Sequence, residues 1–134
     1  MTGAKYFARL LEAYGVTHVF FMDAVLRRAL AEMEDTNIMR VLGHSEKGVG
    51  YMADGYARMA GVPALTLLHL GPGYLNGGAN IHNGRRAFVP MINLIGDHAV
   101  THRQYDAPLA SDIAALAAPN SRWLKSVDLV EDAG

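Results

Sequence analysis

Gly61-Val62-Pro63-Ala64-Leu65-Thr66-Leu67-Leu68-His69-Leu70-Gly71-Pro72-Gly73 is the stretch whose reading decides the fold. Gly61 and Pro63 stop a helix, the first by its backbone freedom and the second by its missing N–H and its clash with the preceding turn. Ala64 to Leu70 is then a short, bounded, nearly continuous apolar run, which predicts a strand buried on both faces. Gly71-Pro72-Gly73 predicts a sharp turn after it.

Upstream, Val49, Met52, Ala53, Tyr56 and Ala57 recur at helical spacing, and Ile38 to Leu42 reads as a strand before them. Val19-Phe20-Phe21 is another short apolar run, followed by a helical segment from about Val25 to Glu34. Phe7, Leu10, Leu11 and Tyr14 predict a first helix over residues 3–14, with Thr2 to cap it and Gly15 to end it. Downstream come a helix from about Leu75 to Arg86, a strand Met91 to Ile95, a polar loop through Gln104 and a weaker helix near Asp112 to Ala117. Apolar strands alternating with helices predict an α/β domain: an open parallel sheet with helices on both faces, in three layers.

A chain of 134 residues is the size of one domain, long enough to bury about 68 to 70% of its unfolded surface in a single core. Twelve basic residues against 13 acidic ones give a net charge of -1, which sets nucleic acid and acidic membrane surfaces aside as partners. Without cysteine there is neither a disulfide framework nor a thiolate zinc site. Lys5, Arg9 and Glu12 interrupt the opening apolar pattern, so a cytoplasmic protein is expected. No repeat or linker divides residues 1–134, which read as one domain. Val127 to Glu131 looks like the start of another element, so the end at Asp132-Ala133-Gly134 is expected to fall inside or just beyond a domain border.

Parallel sheets gather ligands beyond the carboxyl ends of their strands, which here means Phe21-Met22-Asp23-Ala24, His44-Ser45-Glu46, His69 to Gly73 and Gly96-Asp97-His98. Glu46 opens a helix among apolar neighbours such as Val49 and Met52. Desolvation there raises a carboxyl's pKa while the helix start favours its charged form; an exposed glutamate in a first helical turn is the plainer alternative. Gly71-Pro72-Gly73 with Asn76 lets backbone approach a ligand at a helix start, and with Asp97 it also fits a degraded dinucleotide fingerprint. His69 ends a buried strand, where a packing role and a catalytic one are both open. His98 and His102 lie four apart beside Asp97, but their surroundings read as a solvated loop, and no metal ligands are assigned.

Taken together, Glu46-Lys47-Gly48-Val49-Gly50-Tyr51-Met52-Ala53-Asp54-Gly55-Tyr56-Ala57-Arg58, then Gly71-Pro72-Gly73 and Asn76, then Pro90 and Gly96, resemble the N-terminal pyrimidine-binding domain of thiamine-diphosphate enzymes of the acetolactate synthase and benzoylformate decarboxylase type. The resemblance covers nearly the whole chain. It implies that Glu46 hydrogen-bonds the aminopyrimidine ring nitrogen of thiamine diphosphate and so promotes loss of the thiazolium proton, in the decarboxylation of a small 2-oxo acid or its ligation to a second carbonyl. It also implies that His69 transfers a proton or orients substrate. Gly71, Pro72, Gly73 and Asn76 would shape the pocket around the pyrimidine.

Three departures stand against the resemblance. Ser45 separates His44 from Glu46, where the family usually has histidine next to the glutamate. Phe21-Met22-Asp23-Ala24 replaces the usual Gly-x-Pro-Gly, and Pro108-Leu109 stands where acetolactate synthases carry Phe-Gln, which puts acetolactate synthesis itself in doubt. The Gly-Asp-Gly...Asn segment that holds Mg2+ and diphosphate is absent. The resemblance therefore implies a diphosphate-binding domain in another chain or a missing C-terminal region, in a homodimer or hetero-oligomer, with the isolated chain inactive. A non-catalytic interaction or regulatory domain of the same fold is the alternative.

Overall fold

The computed structural model describes residues 1–22 and 26–129. Helix α1 (Gly3–Ala13) is capped by Thr2, whose hydroxyl accepts from the Lys5 N–H, and ends before Gly15 at φ 77°. Strand β1 (His18–Phe21) leads to α2 (Arg27–Glu32) and a 3-10 turn (Met33–Asp35), then β2 (Met39–Leu42) and α3 (Glu46–Ala60). Strand β3 (Ala64–His69) runs directly into α4 (Leu70–Arg86), which is followed by β4 (Met91–Gly96), α5 (Val100–Arg103), α6 (Ile113–Ala117) and a second 3-10 turn (Ala118–Asn120).

All pairings in the four-stranded sheet are parallel, and the order is β2-β1-β3-β4. The chain therefore moves outward from β1 to β2 and crosses back over β1 to reach β3, which makes the β1/β3 crevice a topological switch point. Strand β3 is buried from Ala64 to Leu68, and its alternation feeds two cores. Leu65 and Leu67 pack with Ala8, Leu11, Val19, Leu30 and Met33 under α1 and α2, whereas Ala64 and Leu68 pack with Phe20, Val49, Ala53, Tyr74 and Ile81 under α3 and α4. These are the two helical layers the apolar strands imply.

The structure differs from the expectation most at Gly71-Pro72-Gly73. These residues form the first turn of α4 rather than a turn preceding it. A proline there removes an N–H that would have had no partner inside the helix anyway. The junction is made instead at Leu70, whose φ is 53°. The loop expected up to Gln104 contains the single helical turn α5, and Asp112 caps α6 by accepting from the Ala115 N–H at 2.9 Å rather than lying inside it. Asp23, Ala24, the expected helix start at Val25 and the end of the element expected at Val127 to Glu131 lie outside the described residues; from Val127 to Leu129 there is neither helix nor strand. Among the described residues, no helix is long and apolar enough to cross a membrane.

Candidate functional site

Helix α3 starts with an ordinary cap: the Ser45 hydroxyl accepts from the Gly48 N–H at 3.1 Å. That cap sets Glu46 as the first helical residue beyond the carboxyl end of β2, and folding buries it to 6% exposure. An exposed first-turn glutamate is thereby excluded. Asn76, more than one turn into α4, donates its side-chain N–H to Glu46 Oε2 at 3.3 Å. A methyl added at Gly73 would stand 3.1 Å from Glu46 Oε1 and 3.3 Å from the His69 Cβ, so this glycine keeps the second carboxylate oxygen approachable. Glu46, His69, Gly73 and Asn76, up to 30 residues apart in the chain, thus meet at one place.

The remaining two candidates are placed differently. Gly71 faces away from Glu46, toward Ser111, whose Cβ would lie 2.5 Å from a methyl at that position. Its role is to let the segment before α6 cross α4. Pro72 is exposed and belongs to the helix start. His69, at the helix cap, also lines an open cavity with Gly96, Asp97 and His98. The rings of His98 and His102 lie 5.1 Å apart, and His102 in turn lies 5.6 Å from Tyr105. Among the described residues, no group of three or more histidine and carboxylate side chains could hold a metal ion.

Sequence reasoning missed the contacts that hold this edge together. Asp97 Oδ2 pairs with Arg103 Nε at 3.1 Å, and Arg103 also reaches Asp128 at 2.8 Å; that contact, with the two nearby carboxylates, pushes the guanidinium pKa up. This leaves no support for Asp97 as the acid of a dinucleotide fingerprint, and the glycines follow the third strand rather than the first. Asn80 donates to the Gly50 carbonyl at 2.6 Å, both buried, and a methyl on Gly50 would meet the Asn80 Cβ at 3.3 Å. A glycine inside a helix costs about 1 kcal/mol relative to alanine, and Gly50 was a legible sign of this close approach between α3 and α4. Burial pushes the Tyr74 phenol pKa up, with the Asn120 side chain opposing it.

The family model for the thiamine pyrophosphate enzyme N-terminal TPP binding domain matches residues 1–118. A Mycobacterium tuberculosis protein named, provisionally, an acetolactate synthase large subunit is 58% identical over 82 residues, 61% of this chain and 16% of that one. The mitochondrial acetolactate synthase catalytic subunit of Aspergillus candidus is 31% identical over 91% of this chain and 18% of its own length. Among solved structures, the thiamine diphosphate-dependent 4-hydroxybenzoylformate decarboxylase of Rhodococcus jostii RHA1 superposes with a TM-score of 0.91 at 27% identity, covering 99% of this chain and 25% of that one. The chain spans a quarter or less of the length of each of these relatives.

Proposed function

We propose that this chain, which belongs to the thiamine pyrophosphate enzymes as their N-terminal TPP-binding domain, forms half of a thiamine diphosphate site in a cytoplasmic 2-oxo acid decarboxylase or carboligase. The observation that carries the reading is the buried Glu46 carboxylate, held through Oε2 by Asn76 and left approachable at Oε1 by Gly73. A carboxyl so placed fits a ring that brings a basic nitrogen into a dry site. When bound, thiamine diphosphate supplies the electron sink for breaking a carbon–carbon bond beside a carbonyl.

The chain's own residues do the rest. Glu46 shares a proton with the pyrimidine ring nitrogen, Asn76 fixes the carboxylate's orientation, and burial by α3 and α4 excludes water that would compete for that proton. His69, the last residue of β3, lies on the same edge and orients substrate or moves a proton to it. Mg2+ and the diphosphate fall to a second domain, in another chain or elsewhere in a longer one, so the working unit is a dimer or hetero-oligomer. Pro108-Leu109 in place of Phe-Gln favours a decarboxylase or a different ligation over acetolactate synthesis.

The test is calorimetric titration with thiamine diphosphate and Mg2+, with and without a diphosphate-domain partner. Binding is expected only with the partner, and Glu46→Gln should weaken it and lower turnover of the assembled enzyme about 10²–10⁴-fold. No binding in any combination would make the chain a non-catalytic interaction domain of this fold. Turnover of a 2-oxo acid by the 134-residue chain alone would defeat the half-site reading.

A further inference from the structure

Helices α3 and α4 face each other along a line of contacts with a constant offset of 30 residues. Glu46 meets Asn76, Gly50 meets Asn80 one turn on, and Asp54 faces Gly84 one turn beyond that. The three differ in what they can hold. At the first, the bond from Asn76 to Glu46 Oε2 is 3.3 Å, longer than the roughly 2.7–2.9 Å usual for a charge-assisted bond. Asn76 is itself exposed, so water competes for its N–H. At the third, Gly84 offers no side chain. Asp54 turns Oδ2 to Arg58 at 2.9 Å, and its Oδ1 is buried without a hydrogen-bond partner among the described residues.

Of these three, the middle contact is both short and buried. Asn80 Nδ2 donates to the Gly50 carbonyl at 2.6 Å, and Asn80 is 4% exposed. Val49, Ala53 and Ile81, its neighbours on the two helices, are buried as well. A hydrogen bond in such surroundings is stronger than one that water can reach. Steric contact puts the stop in the same place. A methyl on Gly77 would stand 3.6 Å from the Glu46 carbonyl oxygen, an ordinary contact, so the backbones are not jammed beside the carboxylate. A methyl on Gly50 would stand 3.3 Å from the Asn80 Cβ, closer than side chains ordinarily pack. The approach of the helices is thus fixed one turn away from Glu46 rather than at it.

We propose that Asn80 is a positioning residue for the reaction: by locking α4 onto the Gly50 carbonyl it sets the distance at which Asn76 holds Glu46, and so the direction in which Oε1 faces the cofactor ring. The two asparagines divide the work. Asn76 loosens or tightens its bond as the carboxylate gains and loses a proton, and the helices stay in register because Asn80, bound to backbone, is indifferent to that charge. The inference rests on the half-site reading above for the identity of the ring as the aminopyrimidine.

The test disturbs the contact in two opposite ways. Asn80→Leu keeps the volume and removes the donor, whereas Gly50→Ala keeps the donor and wedges the helices apart. In heteronuclear NMR of the 134-residue chain without cofactor, both should move the Asn76 side-chain amide signals toward the position they take in Glu46→Ala, where Asn76 has no acceptor. In the enzyme assembled with a diphosphate-domain partner, each should lower kcat about tenfold and leave KM for the 2-oxo acid unchanged, as a small misplacement of a reacting group does. Once Asn76→Ala has removed the contact being positioned, adding Asn80→Leu should lower kcat by about twofold or less. Ala57→Gly, which loosens α3 about two turns beyond Gly50, is the control and should change neither kcat nor the Asn76 signals. Unmoved Asn76 signals in both variants, a fall in kcat no larger than that of the control, or full additivity with Asn76→Ala would each overturn the proposal. Glu46→Gln runs beside them: if it lowers turnover and Asn80→Leu does not, the positioning role alone fails, and if it leaves cofactor affinity and turnover unchanged, the half-site reading is what fails.

Discussion

The two helices that meet at Glu46 begin in opposite ways. Helix α3 follows a loop, takes Ser45 as its cap and ends at Gly61 with φ 68°, each step an ordinary local choice. Helix α4 follows β3 with no loop, has no side-chain cap, and makes its corner at a buried leucine with φ 53°. One start is specified by its own residues and the other by what surrounds it. The difference teaches that a precise site can be assembled from one locally stable half and one half held in place by tertiary packing. Burying Leu70, worth about 1.5–3 kcal/mol, outweighs a left-handed cost of about 1–2 kcal/mol.

The largest effect should come from breaking the surroundings of α4. Gly71→Ala drives a methyl into Ser111 and should cost about 1–3 kcal/mol in urea unfolding, with Glu46 left in place. An unchanged midpoint would mean that the segment before α6 does not cross α4 closely.

On the other helix, Ser45→Ala should cost about 1 kcal/mol, the usual worth of a cap, and Ser45→Asn should restore it. The same scale separates the two starts by substitution order. At Leu70, glycine should be more stable than alanine by about 1 kcal/mol, because both lose the buried side chain and only alanine keeps the strain. At Lys47, exposed in the first turn of α3, the order should reverse by a similar amount. Identical orders at the two sites in thermal melts would remove the contrast.

The smallest effect is a pH dependence confined to α4. Burial raises the Tyr74 pKa above that of an unfolded tyrosine, so the folded state holds this proton more tightly. The associated stability is fully present below the ordinary tyrosine range and is lost as pH rises through it to the folded value. Tyr74→Phe should flatten the alkaline fall in stability seen by chemical denaturation; an unchanged fall would assign it to another group.

These contrasts also explain what could be read in advance. Glu46 at the carboxyl edge, the two-faced strand Ala64–His69 and the helix ended by Gly61 all follow from periodicity and capping, which act over a few residues. Gly71-Pro72-Gly73 was misread because the same residues that favour a turn are also tolerated where a helix has no internal donors to lose. Leu26, Leu70 and Leu109 gave no signal, since nothing in a leucine announces positive φ. The Arg103 link to Asp97 and Asp128 was equally silent, because a chain of charges cannot say which of several carboxylates an arginine will find.

The contact between Asn80 and the Gly50 carbonyl ties the middle of α3 to the middle of α4. A glycine fitted against an asparagine leaves no slack for one helix to slide along the other. The distance from Glu46 to Asn76 is therefore governed by a fastening on the neighbouring turns, about one turn from each. Amide hydrogens along the two helices should exchange with solvent as a single cooperative unit, because neither can open without releasing the other.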